Sequence, residues 1–294
     1  MTNPALDLSY LAPGKRSRLA ALLARNNGRL AVLPIDQGLE HGPVDFLDAP
    51  DAANPEHEFR MVAEAGFSAI AVQIGLAEKY LPKYAEQVPL ILKINGKTSV
   101  PPDDDAFSPL TATVEDAVRL GALAVGYTLY VGSPRQDDDF LQFEEVRREA
   151  ERCGMPVIVW AYPRGSAIEA KGGKESPYAV EYAARAAMEV GADVVKVNIP
   201  KYDAKKAERY PAAYREIGRD AREAMSRVVK NVGRTLVIAS GGSRLSAEEA
   251  VAQAKLALEA GCAGLIFGRN VWQRPYGEGL EVARELIKVV RGEA

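Results

Sequence analysis

The sequence predicts an α/β protein, a single-domain (β/α)₈ TIM barrel with an extra N-terminal helix. A unit made of a helix end, a glycine and an apolar strand occurs five times, in AEAGFSAIAV, RLGALAVGY, RCGMPVIVW, EVGADVVKV and EAGCAGLIF. Three further apolar segments, AVLPIDQG, PLILKING and TLVIASGG, bring the candidate strands to eight. Segments with helical periodicity, such as VEDAVRLG and EEVRREAERCG, separate them. Eight strands that alternate with helices favour a closed barrel.

The local sequence explains why these helices end and why these strands form. The glycine of each repeated unit can adopt the left-handed conformation that ends a helix at little cost. The strands are short and apolar on both faces, which is typical of a parallel sheet covered by helices. A doubly wound open sheet is the alternative, but no GxGxxG turn opens the first unit.

The segment GKRSRLAALLARNN predicts a helix before the first strand, so we divide the chain into a helical extension, 1–29, and the barrel, 30–294. The segment GKTSVPPDDDAFSP, rich in proline and aspartate, is expected to be a loop after the third strand. No linker or low-complexity segment divides the chain, and we expect one domain, 1–294.

Composition excludes several classes of function. The chain has 37 basic and 40 acidic residues, a net charge of -3, so it lacks the positive field that binds nucleic acid or a membrane surface. No segment approaches the roughly 20 apolar residues that span a bilayer, and no signal sequence is visible. Two cysteines, Cys153 and Cys262, argue against a disulfide framework and suit a reducing compartment. We expect a cytoplasmic protein.

In a barrel of this type the active site lies where the strands end, so polar residues at the carboxyl ends of strands are the candidates. This rule selects Asp36, Lys93, Trp160, Tyr162, Lys196, Ser240 to Ser243, Gly268, Arg269 and Asn270.

Lys196 lies among valines in GADVVKVNIP, where a low dielectric disfavours the ammonium form and lowers the pKa. A neutral amine can attack a ketone and form an iminium, which accepts electrons from a breaking carbon-carbon bond. The alternative is a structural ion pair with a carboxylate such as Asp36. Lys93 has the same strand-end position and is either a second cation near Lys196 or itself the nucleophile.

Trp160 and Tyr162 are two residues apart in one strand, so their side chains point to the same side. A tyrosine at this position can transfer a proton to and from a substrate hydroxyl. Trp160 packs either against the substrate or in the pocket wall. The alternative is an aromatic pair in the barrel core.

The loops after the seventh and eighth strands, SGGSRLS and GRNVWQR, have the composition of a phosphate site. Gly241 and Gly242 allow the backbone to approach an oxyanion, while Ser240, Ser243 and Arg269 supply donors.

The first loop, DQGLEHGPVD, holds more polar groups than a connection requires: Asp36, Gln37, Glu40, His41 and Asp45. Asp36 is expected to orient an iminium or a substrate hydroxyl, or else it caps the following turn. His41 and His57 are the only histidines, too few for a histidine-dominated zinc cluster. We expect no catalytic metal and no cofactor.

Nearly the whole barrel resembles the archaeal-type class I fructose-1,6-bisphosphate aldolases, a family also present in bacteria. The resemblance rests on LPIDQGLEHGPVDF, LKINGKTS, WAYPRG, GADVVKVNIP, ASGGS and GRNVWQR in this order. It implies that Lys196 is the Schiff-base lysine, Tyr162 the proton donor and acceptor, and Asp36 the carboxylate beside them. The substrate contacts that it implies are Gln37, His41, Asp45, Trp160, Ser240, Gly241, Gly242, Gly268 and Arg269, with Lys171 or Lys174 as candidates for the second phosphate.

The implied reaction is reversible cleavage of fructose 1,6-bisphosphate to dihydroxyacetone phosphate and glyceraldehyde 3-phosphate. The family also implies a homo-oligomer, a ring or decamer, and a small sugar phosphate as the partner. Two alternatives remain: a related Schiff-base synthase or thiolase for another phosphorylated ketose or dione, and a non-catalytic sugar-phosphate-binding protein.

Overall fold

Eight parallel strands close into a barrel in which each strand pairs with its neighbours in sequence and the eighth pairs with the first. The computed structural model describes residues 6–294, apart from the side chain of Gln37. The predicted barrel is confirmed, and the open sheet is excluded. The strands are β1 Leu30–Ile35, β2 Ala69–Gln73, β3 Leu90–Lys93, β4 Ala124–Val131, β5 Val157–Pro163, β6 Val194–Asn198, β7 Leu236–Ser240 and β8 Gly264–Ile266.

Closure of the barrel depends on a glycine where β8 pairs with β1. Leu30 and Gly264 are register partners in the pairing of β1 with β8. A Cβ atom on Gly264 would lie 2.1 Å from the Leu30 carbonyl oxygen, so a larger residue would push the two strands apart. The short β8 can therefore complete the barrel only with glycine at its first position.

Helices cover the outside of the barrel and bury a second apolar layer against the strands. The predicted loop after β3 contains a single 3₁₀ turn at Asp103–Asp105. No helix among residues 6–294 is both long and apolar enough to cross a membrane. The helices are α1 Pro13–Ala24, α2 Gln37–Glu40, α3 Glu56–Ala65, α4 Ile74–Tyr80, α5 Val114–Arg119, α6 Gln136–Cys153, α7 Ser166–Glu169, α8 Pro177–Glu189, α9 Ala221–Asn231, α10 Ala247–Glu259, α11 Arg269–Trp272 and α12 Tyr276–Arg291.

The predicted N-terminal helix, α1, closes the amino end of the barrel. Its residues Leu19 and Leu22 are fully buried and join the apolar cluster that fills the barrel interior. At the same end, Lys15 Nζ lies 3.0 Å from Asp193 Oδ2, just before β6, and 2.9 Å from Glu151 Oε2. Because α1 seals this end, access to the interior is left to the carboxyl ends of the strands.

We expect Leu22→Ala to lower the free energy of unfolding by about 2–5 kcal/mol, because it leaves a cavity where α1 meets the barrel interior. Urea denaturation followed by circular dichroism measures the change. Leu141→Ala is the matched control, since Leu141 lies on α6 with 70% of its surface exposed. Equal midpoints for the two variants would contradict the assigned packing of α1.

Candidate active site

A polar cavity of 310 Å³ lies at the carboxyl end of the barrel. The ends of β1, β5, β6, β7 and β8, together with the loops that follow them, form its walls. Most of the residues that the sequence predicts for the site line it, namely Asp36, His41, Tyr162, Lys196, Ser240, Gly241, Gly242, Ser243, Gly268 and Arg269.

Lys196 projects inward from β6 because alternate residues of the strand, Val194, Lys196 and Asn198, point to the same side. It is 6% exposed, and its ammonium nitrogen is hydrogen-bonded to the Tyr162 hydroxyl. Burial lowers the pKa of Lys196 to about 8, although Asp36 and Glu40 act in the opposite direction. A substantial fraction of the amine is therefore neutral near physiological pH and can act as a nucleophile.

Tyr162 lies next to this amine and faces the cavity from β5. Burial, and then the negative charges of Asp36 and Glu40, raise the pKa of its phenol well above the ordinary value. The phenol is therefore protonated at neutral pH. It can donate a proton to a group that forms on Lys196.

The two strand-end lysines, which the sequence could not rank, differ in their surroundings. Lys93 is fully buried and donates hydrogen bonds to the Asn95 carbonyl oxygen, at 2.6 Å, and to Asn95 Oδ1, at 3.0 Å. Burial lowers its pKa as well. Lys196 lines the cavity and Lys93 does not, so of the two lysines Lys196 is the one that a molecule in the cavity can reach.

Trp160 is completely buried and lies beneath the cavity rather than in its wall. Lys93 Nζ lies 5.5 Å and Lys196 Nζ 5.6 Å from the centre of its ring system. A Cβ atom on Gly126 would lie 2.7 Å from the ring, so the glycine of β4 makes room for the indole. The indole thus forms the apolar floor beneath the Lys196 amine.

The first loop brings Asp36 and Glu40 to the cavity beside Lys196. Burial, reinforced by the charge of Asp36, raises the pKa of Glu40 to about 7. Asp45 stands behind His41, with 2.6 Å between its Oδ2 and the imidazole Nδ1, and is not in the cavity wall. Gln37 is the first residue of α2, but its predicted contact lies outside the described side chains.

The loops after β7 and β8 are held in shape by Asn270. Its Nδ2 donates to the Gly241 carbonyl oxygen at 3.0 Å, and its Oδ1 accepts from the Leu245 amide at 2.7 Å. A Cβ atom on Gly241 would lie 2.4 Å from Asn270 Nδ2, so this approach requires glycine. Among the described residues, Arg269 Nε is buried without a hydrogen-bond partner, which leaves it available to an anion.

Three polar residues that the sequence analysis did not assign to the site also line the cavity. Asn198 Oδ1 accepts a hydrogen bond from Ser240 Oγ at 2.5 Å. Arg164, whose Nε donates to Asp103 Oδ2 at 3.2 Å, adds a cation near the Tyr162 ring. Glu175 adds a carboxylate. The signal for Arg164 was present in WAYPRG, where it follows Tyr162 by two residues.

Lys174, one of the two cations considered for a second phosphate, lines the cavity, whereas Lys171 does not. Within residues 6–294, no group of three histidine, cysteine, aspartate or glutamate side chains is arranged to hold a metal ion.

The closed barrel and a buried amine that faces a polar cavity define a class of barrel enzymes with a lysine nucleophile. The family model for the DeoC/LacD family aldolases matches residues 30–274, and the chain belongs to this family. The match begins at β1 and extends beyond α11, so it includes all eight strands.

Individual relatives agree with this assignment. The chain is 40% identical over 266 residues to a fructose-bisphosphate aldolase class 1 of Thermoproteus tenax, covering 90% of each protein. It is 32% identical over 280 residues to a fructose-bisphosphate aldolase/6-deoxy-5-ketofructose 1-phosphate synthase of Methanocaldococcus jannaschii, covering 91% of this chain and 83% of that protein.

Among solved structures, an archaeal fructose-1,6-bisphosphate aldolase has its catalytic lysine covalently bound to the carbinolamine intermediate of the substrate. It is similar to this chain with a TM-score of 0.79 and 38% identity, covering 94% of this chain and 99% of that one.

We expect Lys196 to react with 1-fluoro-2,4-dinitrobenzene at a rate that rises with pH to a midpoint near 8, because only the neutral amine is nucleophilic. A free lysine side chain titrates near roughly 10.4. Glu40→Gln should move the midpoint to lower pH, since the charge of Glu40 favours the ammonium form. Peptide mass spectrometry follows the modification, and a midpoint near that of free lysine would contradict the assigned burial.

Proposed function

We propose that this protein is a class I fructose-1,6-bisphosphate aldolase, which reversibly cleaves its substrate to dihydroxyacetone phosphate and glyceraldehyde 3-phosphate. One observation carries the proposal: the buried Lys196 amine, with its lowered pKa, is hydrogen-bonded to Tyr162 inside a polar cavity. The names of the relatives from two archaea support the choice of substrate.

The reaction begins when the neutral amine of Lys196 adds to the C2 carbonyl of the ketose. Loss of water from the carbinolamine gives a cationic iminium. The electron pair of the C3–C4 bond then flows into the iminium while the C4 hydroxyl loses its proton, and glyceraldehyde 3-phosphate leaves. The remaining enamine takes a proton at C3, and hydrolysis releases dihydroxyacetone phosphate and restores the amine.

We propose that Tyr162 transfers the protons of this reaction. As a neutral phenol it gives its proton to the departing hydroxyl of the carbinolamine. The iminium formed beside it stabilises the phenolate, which next accepts the proton of the C4 hydroxyl and later returns it to C3. Asp36, buried at the end of β1, contributes a negative charge that stabilises the iminium in this low-dielectric site.

One substrate phosphate is held at the loops after β7 and β8. Backbone amides at the three glycines, with Ser240 and Arg269, surround this end of the cavity. The glycines of this set are Gly241, Gly242 and Gly268. The second phosphate is met by Arg164 and Lys174, which add positive charge to the cavity wall.

The remaining residues predicted to contact the substrate differ in how close they lie to the cavity. His41 faces the substrate directly, and Asp45 positions its ring through the short contact at Nδ1. Trp160 acts from below, where it keeps water away from the Lys196 amine. Gln37 is proposed as a further polar contact on sequence grounds alone.

A second candidate is a synthase that uses the same lysine chemistry on another phosphorylated ketose. The relative from Methanocaldococcus jannaschii, whose name includes such a synthase, favours this candidate. Steady-state cleavage of fructose 1,6-bisphosphate decides between them. A synthase without the aldolase activity would still form an iminium between Lys196 and a ketose phosphate, which borohydride would trap. It would not release glyceraldehyde 3-phosphate from fructose 1,6-bisphosphate.

We further propose that the chain forms one domain, with 1–29 as an extension of the barrel at 30–294, because α1 packs into the barrel interior. A cytoplasmic location and a ring-shaped homo-oligomer, a decamer by family resemblance, are part of the same proposal. The low cysteine content supports the first, and the family resemblance supports the second.

We expect borohydride reduction in the presence of dihydroxyacetone phosphate to attach the reduced adduct to Lys196, because this amine faces the cavity. Lys196→Met should lose the adduct and lower kcat by about 10³-fold or more. Lys201→Met is the matched control that should retain both, since Lys201 is exposed in the loop after β6, five residues beyond Lys196. An adduct on Lys93 would reassign the nucleophile, and an active enzyme with no adduct would exclude the iminium.

We expect Tyr162→Phe to lower kcat by about 10²–10⁴-fold, the usual contribution of a group that transfers protons in the transition state. Tyr130→Phe is the matched control: Tyr130 is buried beside Tyr162, with 6.5 Å between the ring centres, but it does not line the cavity. Initial-rate kinetics with fructose 1,6-bisphosphate measure both. Equal losses in the two variants would show that the Tyr162 hydroxyl has no special role.

A further inference from the structure

A second cavity, of 380 Å³, lies outside the barrel wall near the carboxyl ends of β1 and β2. Its walls come mainly from apolar side chains of the first loop and of α4, including Leu39, Phe46, Leu76 and Tyr80. Among the described residues, it shares no lining residue with the catalytic cavity. Its volume is within the range of sites that bind small molecules.

One acidic side chain, Glu58 of α3, lines this apolar cavity. Glu58 is 1% exposed, and within residues 6–294 no other residue supplies a hydrogen bond to either of its carboxylate oxygens. A buried polar group without a partner costs stability, and an apolar residue at this position would avoid that cost. The carboxyl group of Glu58 is therefore free to bind a polar group of a ligand that enters the cavity.

The other polar groups of the cavity cannot serve Glu58. Gln73 Nε2 donates to the Asn95 carbonyl oxygen at 3.0 Å, and Gln73 Oε1 accepts from the Thr111 hydroxyl at 2.7 Å. Lys79 is exposed to solvent. Besides the half-buried Tyr80, the described lining therefore offers a ligand one buried and unpaired polar side chain, the acid Glu58, surrounded by apolar surface.

This arrangement selects the chemistry of the ligand. An anion would bring a carboxylate or phosphate beside the Glu58 carboxyl group, and Lys79, the cation among the lining residues, is exposed to solvent. A primary ammonium group brings three donors, which can satisfy both carboxylate oxygens through charge-assisted hydrogen bonds. The apolar walls can then bury a hydrocarbon body attached to that group.

We propose that this cavity binds a small amphipathic amine, an ammonium group on an aliphatic or aromatic body, with Glu58 as its counter-ion. The site is separate from the aldolase chemistry, and its test does not depend on that function. It contacts the first loop through Leu39 and Phe46, the loop that also carries Asp36 and Glu40 into the active site.

Binding of an amine at this site should release a proton, which can be measured. Burial raises the pKa of Glu58 to about 9, so the empty cavity holds a neutral carboxylic acid at pH 7. The other titratable side chains that line the cavity are Lys79, which is exposed, and Tyr80. Formation of the ion pair with an ammonium ion must therefore release one proton.

Isothermal titration calorimetry with benzylamine at pH 7, in two buffers of different ionisation enthalpy, measures binding and proton release together. We expect benzylamine to bind the full chain with release of about one proton per site. Benzyl alcohol, which has the same ring but no charge, should bind at least tenfold more weakly. Glu58→Gln should reduce benzylamine binding to the level of the alcohol.

Two variants separate loss of the site from loss of the fold. Glu58→Gln should raise the urea midpoint at pH 8, because the unfolded chain has an ionised carboxylate above about pH 4.3 while the folded chain must hold the proton until about pH 9. Ala53→Phe, at an exposed position of the cavity lining, should block benzylamine while Glu58 is intact.

Equal binding of the amine and the alcohol would overturn the proposal, since it would reveal only an apolar pocket. Benzylamine binding that survives Glu58→Gln, or no binding by the wild-type protein, would overturn it as well. Binding without proton release would exclude Glu58 as the counter-ion.

Discussion

Closure of a parallel sheet into a barrel is the constraint on which the site depends. Every second residue of each strand must point into a narrow interior, so the chemistry of that interior is arranged in layers. On β6 the sequence rises from Val194 through Lys196 to Asn198, from an apolar layer to a polar one. On β5, Trp160 is the register partner of Lys196, and Tyr162 follows one layer higher. The amine is consequently desolvated from below by an indole and reached from above by a phenol.

The barrel interior holds two lysines that differ in hydrogen bonding and in access to the cavity. Lys93 uses its donors on Asn95, which is itself fixed by hydrogen bonds to the Thr128 backbone in both directions. Lys196 has a tyrosine hydroxyl for a partner and open space beside it. Burial lowers the pKa of both groups, but only an amine that is both desolvated and accessible can react. Reactivity is thus decided by hydrogen bonding and access as much as by burial.

The sequence predicted the strands, α1 and most of the residues that line the cavity, because strand ends in a barrel converge whatever the loops do. It could not rank Lys93 against Lys196, since the two have the same local pattern and differ only in their three-dimensional neighbours. It also did not distinguish the floor of the cavity, where Trp160 lies, from its wall. The sequence gives no signal that Glu58 is unusual, because acidic residues are common in the first turn of a helix. Its burial depends on packing by loops that are distant in sequence.

Helix α1 closes the amino end of the barrel, and the two ends of the barrel differ in their tolerance to amino-acid substitution. At the amino end, side chains of α1 fill the barrel and their loss threatens the whole fold. At the other end, the loops that carry His41, Arg164 and Lys174 add little to that packing. Natural variation or a directed-evolution library can therefore explore new sugar substrates by changing those loops while the scaffold is unaffected. In a barrel closed in this way, substrate preference can change at one end while the packing at the other end is maintained.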